Sequence, residues 1–235
     1  MNEAAKLPDI SAPEFSTRQR EVLDCALELL AQEGDGFSMA GLARKASCSK
    51  ETLYKWFGDR DGLLSATVRW QAGRVRAGNW ERARLDAQAL EQSLEAFAVN
   101  WLTVISSRTS IALNRVAISH AGNGKSRLGE IVLADGRFAI GERLKPVLEA
   151  GRAAGLISFE DSETAFRTFF GLVGRDVQIR VLLGDRLEVT AQSIARDAAR
   201  ATAQFMALHK GHGATTGNAK ANPANQANQS GQMEG

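Results

Sequence analysis

The sequence predicts an all-α protein, with a small N-terminal unit of short helices ahead of a larger helical bundle. Apolar residues recur at three- and four-residue spacings nearly everywhere, while the period-two alternation of half-buried strands is scarce. No proline falls between Glu14 and Lys145. Cap and stop residues bracket short segments as far as Gly58, and past Gly78 the helical patterns lengthen. With 235 residues, 44% of them apolar and 24% charged, the chain has material for two compact units plus tails.

Taken in order, Met1–Pro13 carries two prolines and no periodicity, and reads as a flexible arm. Thr17 is placed to cap a helix reaching Glu33, with Val22, Leu23, Ala26, Leu29 and Leu30 on one face and Gly34 and Gly36 as its stop. Ser38 caps a short helix bearing Met39, Leu42, Ala43 and Ala46. After a tight turn at Ser47-Cys48, Ser49 caps a third helix through Phe57; Gly58 ends it, and Asp59 caps a fourth containing Leu63, Leu64, Val68 and Trp70. Longer helices are expected over about 86–107, 109–121, 127–150, 161–183 and 187–209, with Pro146 kinking or dividing the third of these. The last holds a heptad seam of Leu187, Ala191, Ile194, Ala198, Ala201, Phe205 and Leu208. The helix before it offers Phe166, Phe170, Val173, Val177 and Val181. Two adjacent seams favour an interface between copies, although an internal core has the same period. Gly211–Gly235, rich in Gly, Ala, Asn and Gln, buries too little apolar surface to order itself.

Helix, short turn, short helix is the geometry that lays a second helix in the DNA major groove while the first crosses the backbone. Here Leu42, Ala43, Ala46, Leu53 and Phe57 pack inward, leaving Lys50, Glu51, Thr52, Tyr54, Lys55 and Trp56 outward. Such groups can donate to phosphates, read base edges or stack on sugars. From Ser38 to Arg60 five cations face two anions, a local +3 in a chain whose net charge is only +2. A solvated helix face with Tyr54 and Trp56 half buried would carry the same pattern.

The run Ser49-Lys50-Glu51-Thr52-Leu53-Tyr54-Lys55-Trp56-Phe57, followed by Gly58-Asp59-Arg60-Asp61-Gly62-Leu63-Leu64, closely resembles the recognition helix and following turn of the TetR family of regulators. Ser38-Met39-Ala40-Gly41-Leu42-Ala43 resembles that family's first motif helix, and the resemblance covers about residues 15–70. It implies an N-terminal three-helix helix-turn-helix domain followed by a larger helical-bundle regulatory and dimerisation domain. Tyr54 and Lys55 would then touch phosphates and bases, Lys50 and Thr52 would lie near base edges, and Arg60 would grip a phosphate where the family usually has lysine. Ser38 and the amides after it would hold another phosphate. Ser49, Glu51 and Trp56 complete the candidate DNA-binding set. Ser47 stands where the family commonly has glycine in the turn, and Trp56 where histidine is common.

The expected organisation is an arm at 1–13, a DNA-binding domain at 14–76 with its motif at about 39–58, an effector-binding and dimerisation domain at 77–210, and a tail at 211–235. The family's last two helices form the dimer, which nominates Phe170, Val177, Ile194, Ala198, Ala201 and Phe205; the other helices surround a small-molecule pocket. Phe97, Trp101, His120, Phe138 and Phe166 are the candidate liners, though each is more often plain core. Apolar bulk with few charges points to an apolar or aromatic effector. The expected partners are double-stranded operator DNA, a second copy of the chain, and that effector. A repressor released by the effector is the expected function, the sign of control coming from the family rather than from residues.

Other signals are weaker. Gly122-Asn123-Gly124-Lys125-Ser126 resembles the end of a phosphate-binding loop, but Ser119 replaces the required first glycine and no strand precedes it. His120, His209 and His212 are too scattered for a metal site, and Asp161 with Glu163 fits a solvated helix N-terminus. No nucleophile, base and orienting group can be assembled, so neither an enzyme nor a cofactor is expected. Cys25 and Cys48 lack a CxxC spacing and read as buried free thiols in a reducing compartment. The first ten residues do not form a signal peptide, and no apolar run nears the roughly 20 residues that span a membrane. A cytoplasmic location is expected.

Overall fold

A computed structural model describes residues 15–78, 80–121 and 127–211. The arm at 1–13, the Gly122–Ser126 segment, His212 and the rest of the tail lie outside the described residues. Among the described residues every regular element is helical, and the β contact is an isolated bridge between Ile157 and Lys210. The all-α expectation is met.

The first helices follow their caps. Helix α1 spans Thr17–Glu33, and its cap is Ser16 rather than Thr17. Ser16 Oγ accepts from the Gln19 N–H at 3.2 Å while the Gln19 side chain accepts from the Ser16 N–H at 2.9 Å, a reciprocal box that a cap one residue later could not form. Helices α2 (Met39–Lys45), α3 (Lys50–Phe57) and α4 (Arg60–Ala72) open on Ser38, Ser49 and Asp59. Each cap oxygen accepts an N–H three residues on, at 3.0, 3.1 and 2.8 Å.

The later helices are α5 (Ala87–Ile105), α6 (Arg108–His120) and α7 (Leu128–Ile131). Next come α8 (Ala139–Ala153), α9 (Ser162–Gly174), α10 (Val177–Leu182) and α11 (Ala191–Leu208). Three expectations are corrected. The helix expected over 127–150 is interrupted at Val132–Phe138 by a π-helical stretch, whereas α8 runs on through Pro146. Pro146 removes only the bond to the Glu142 carbonyl, which α8 tolerates. The helix expected over 161–183 breaks after Gly174, where Arg175 takes φ 43°. A Cβ on Gly174 would come within 2.9 Å of Trp101, so close packing there excludes a larger residue. The last helix begins at Ala191, capped by Thr190, rather than at Leu187.

Two hydrophobic cores result, and they do not follow chain order. One gathers α5, α8, α9 and α11 around Phe97, Leu144, Phe166, Phe169 and Phe205. The other packs α1–α4 around Leu23, Leu30, Leu42, Leu53 and Leu64, and also takes Leu113 and Ala117 from α6 and Leu128 and Ile131 from α7. A boundary at residue 76 therefore divides the chain but not the packing. Helix α4 is tied to the later helices by polar contacts as well. Ser65 donates to Asp135 at 2.5 Å, and the Arg143 guanidinium donates to the Ala72 carbonyl at the end of α4. Burial lowers the pKa of Arg143, and nearby Arg76 lowers it further.

Candidate nucleic-acid interface and the adjoining cavity

The turn between α2 and α3 is fixed from several sides. Ser47 takes φ 49°, a left-handed backbone that costs a non-glycine residue roughly 1 kcal/mol. The Cys48 N–H donates to the Ala43 carbonyl at 3.0 Å. Arg18 of α1 donates to both the Ala46 and Ser47 carbonyls, the latter at 3.1 Å, and so pins the turn from outside. Nothing in the local motif signals Arg18, because its partner lies nearly 30 residues away. Lys45, a member of the expected basic patch, pairs instead with Glu28 at 3.0 Å.

On α3 the exposed positions are Lys50, Glu51, Tyr54 and Lys55, which share one face; Tyr54 is 51% exposed. Leu53 and Phe57 are buried beneath them. Thr52 is half buried, its hydroxyl 3.1 Å from Ser49 Oγ. The Glu51 carboxyl is held below its usual pKa by its own backbone N–H and by the Ser49 hydroxyl. Trp56 does not stand outward with the others. It is half buried and meets Phe57 edge-on at 6.1 Å, because it lies a full turn from Thr52 on the inward flank. Arg60 lays its guanidinium over the Phe37 ring at 5.2 Å, beside the start of α4. Ser38 caps α2, its oxygen accepting from Gly41 while its O–H can still donate.

Behind this unit lies a cavity of about 260 Å³. Its walls come from Val68, Gln71 and Ala72 of α4, Trp101 and Val104 of α5, Ser110 and Asn114 of α6, Gly136 and Arg137 of the π stretch, Ile140 of α8, Phe170 of α9 and Gln178 of α10. Trp101 and Phe170 stack with ring centroids 3.7 Å apart. Gln71 also borders a smaller polar cleft of about 120 Å³ with Asn100, Thr103 and Ser107.

Comparison with known proteins decides the family. Residues 22–67 match the model of the N-terminal domain of tetR-family bacterial regulatory proteins, and residues 92–210 match that of the AefR-like transcriptional repressor C-terminal domain. A TetR transcriptional regulator from Agrobacterium tumefaciens is 42% identical, with a TM-score of 0.72 over 84% of this chain and 97% of that one. The chain belongs to the TetR family of transcriptional regulators. The flavonoid-responsive regulator FrrA, 24% identical, shares the fold over 82% of this chain and 97% of its own, with a TM-score of 0.60. The regulator BetI of Paraburkholderia phytofirmans is 39% identical over 62 residues, which span 23% of this chain and only 32% of BetI. These relatives are transcription regulators rather than enzymes.

Against the TetR expectations, the pocket residues separate. Trp101 lines the cavity, but Phe97 and Phe166 are fully buried in the core, and His120 is not among the liners. Phe138 is 57% exposed, because the π stretch adds a residue to its turn and rotates the positions after it. Phe170, nominated for the dimer, is a cavity wall instead. The dimer nominees on α11 fare similarly: Ala198, Ala201 and Phe205 point inward against α5 and α9 and are essentially unexposed, leaving Ile194 and Val177 half buried. Leu208, the seam's last member, is exposed. Cys25 and Cys48 are free thiols, half rather than fully buried, and burial raises the pKa of Cys25. Among the described residues no helix is long and apolar enough to cross a membrane.

Proposed function

We propose that this regulator is a dimeric repressor that reads operator DNA with the exposed face of α3 and releases it when a small molecule fills the cavity. The observation that carries the reading is helix α4. It begins at Arg60, three residues after the recognition helix ends at Phe57, and its last turns supply Val68, Gln71 and Ala72 to the cavity wall. A ligand that binds one arrangement of that wall better than another shifts α4, and with it the separation of two recognition helices. Its leverage equals its differential affinity for the two arrangements. The described fold turns Ala195, Ala199 and Ala203 of α11 outward at four-residue spacing, so this face, rather than the buried one, is assigned to the partner protomer.

Lys55 tests the DNA and repressor readings together. Lys55→Ala should weaken binding to operator and random duplexes alike and reduce the salt slope by about 0.9, the loss of one phosphate contact. In cells it should raise expression from a promoter carrying the operator. Unchanged affinity and slope would remove Lys55 from the phosphate contacts, and lowered expression would make the protein an activator.

A further inference from the structure

The cavity that the repressor reading assigns to an effector also indicates the effector's chemistry. Its volume, about 260 Å³, lies just below the roughly 300–1,000 Å³ of common ligand pockets, which suits one or two rings. Trp101 and Phe170, stacked on each other, bring two aromatic side chains to its lining. Two polar groups stand out against that apolar lining.

The first is Gln71. Its side chain is 4% exposed, it lines the cavity, and its Oε1 has no hydrogen-bond donor. A buried carbonyl left unpaired costs free energy, and a ligand O–H or N–H would recover it. The second is Arg137, the ionisable side chain among the residues that line the cavity. Its guanidinium covers the faces of Phe166 at 4.6 Å and Phe170 at 4.3 Å. Burial lowers its pKa, an effect that Glu163 opposes from outside the lining and Arg167 reinforces. Among the described residues no carboxylate lines the cavity to balance the charge, so the site suits a monoanion.

We propose that the cavity takes a hydroxylated aromatic carboxylate of one or two rings, its ring among the apolar side chains beside the Trp101–Phe170 pair, its hydroxyl donating to Gln71 Oε1 and its carboxylate facing Arg137. Because Gln71 sits on α4, satisfying its carbonyl acts directly on the helix that carries the DNA-reading unit. A ligand without the hydroxyl would occupy the same space and leave that carbonyl orphaned.

The test is calorimetric titration of the full chain with the three hydroxybenzoates and 6-hydroxy-2-naphthoate, against benzoate and 2-naphthoate. At least one hydroxy acid should bind roughly tenfold or more tighter than its parent acid, the order of one hydrogen bond to a buried acceptor. Gln71→Leu should abolish that preference, with Gln71→Met as the second variant if the first melts early. Arg137→Gln should weaken both members of the pair. Failure of every acid to bind, equal binding by a parent acid, or a preference that survives at Gln71→Leu and Gln71→Met would overturn the assignment. The same probes added to the DNA complex separate the two readings. A hydroxy acid that binds as expected without changing DNA affinity would contradict the effector reading and leave the ligand class standing. Naphthalene, added as an uncharged control, releasing DNA as well as the acids do would keep the effector reading and overturn the class.

Discussion

Ala198→Glu should destroy the stability of the single chain, whereas Ala199→Glu, one residue along, should leave the fold intact and produce monomers. Ala198 is unexposed on the inner face of α11, packed against α5. A carboxylate there is an unpaired buried charge, a fault of about 3–5 kcal/mol, in a site with no room for the added atoms. Against a typical stability of about 5–15 kcal/mol, that should lower the melting temperature by roughly 10–20 °C or prevent folding. Ala199, about 100° further round the helix, is exposed, and a charge there costs the protomer little but opposes close approach of a second α11. Circular dichroism melts and sedimentation velocity distinguish the pair. An Ala198→Glu chain that melts like the parent would mean the inner and outer faces of α11 are exchanged, and a dimeric Ala199→Glu would move the interface elsewhere.

Gly62→Ala should abolish specific DNA binding although it adds a single methyl group. A Cβ at Gly62 would lie 2.0 Å from the Phe57 carbonyl oxygen and 3.2 Å from its carbon. Both are backbone atoms at the end of the recognition helix, so no rotamer change relieves the clash. The end of α3 must move by about an ångström relative to α4 before an ordinary contact is restored. Base-edge hydrogen bonds do not survive such a shift, while diffuse attraction to phosphates does. Operator affinity should therefore fall toward the non-specific level, a loss on the order of 10³-fold, with random-duplex affinity changed far less. Fluorescence anisotropy on the two duplexes measures this, and an unaltered operator affinity would show that the α3–α4 turn is not a rigid joint.

How legible these features are in the sequence depends on the range of the interaction behind them. Ser38, Ser49 and Asp59 act on N–H groups three residues away, so their cap roles can be read directly. The cap of α1 is harder to place, because the neighbouring hydroxyls of Ser16 and Thr17 are equivalent until the Gln19 partner is considered. The strained Ser47 is legible as a residue standing where glycine is usual, and its φ of 49° agrees. The cavity is not legible. Gln71 and Arg137 reach it from segments more than 60 residues apart, and the phase of the second is set by a π stretch that a steady helical period conceals. The α11 seam is legible as apolar, but its neighbour is not: Ala198, Ala201 and Phe205 pack inside their own chain. A helix packing on α5 of its own chain and one packing on a second copy present the same spacing.

The most direct measurement of the account is sequencing of the genomic DNA fragments retained by the purified protein, run in parallel with Lys50→Ala. The retained fragments should share an inverted repeat whose half-sites are centred about 34–36 Å apart, one turn of DNA, as a two-fold pair of α3 helices requires. Lys50→Ala should retain the same repeat with base preference relaxed at one position in each half-site. Fragments with no common repeat, or a repeat that Lys50→Ala reads identically, would contradict the placement of DNA reading on the exposed face of α3.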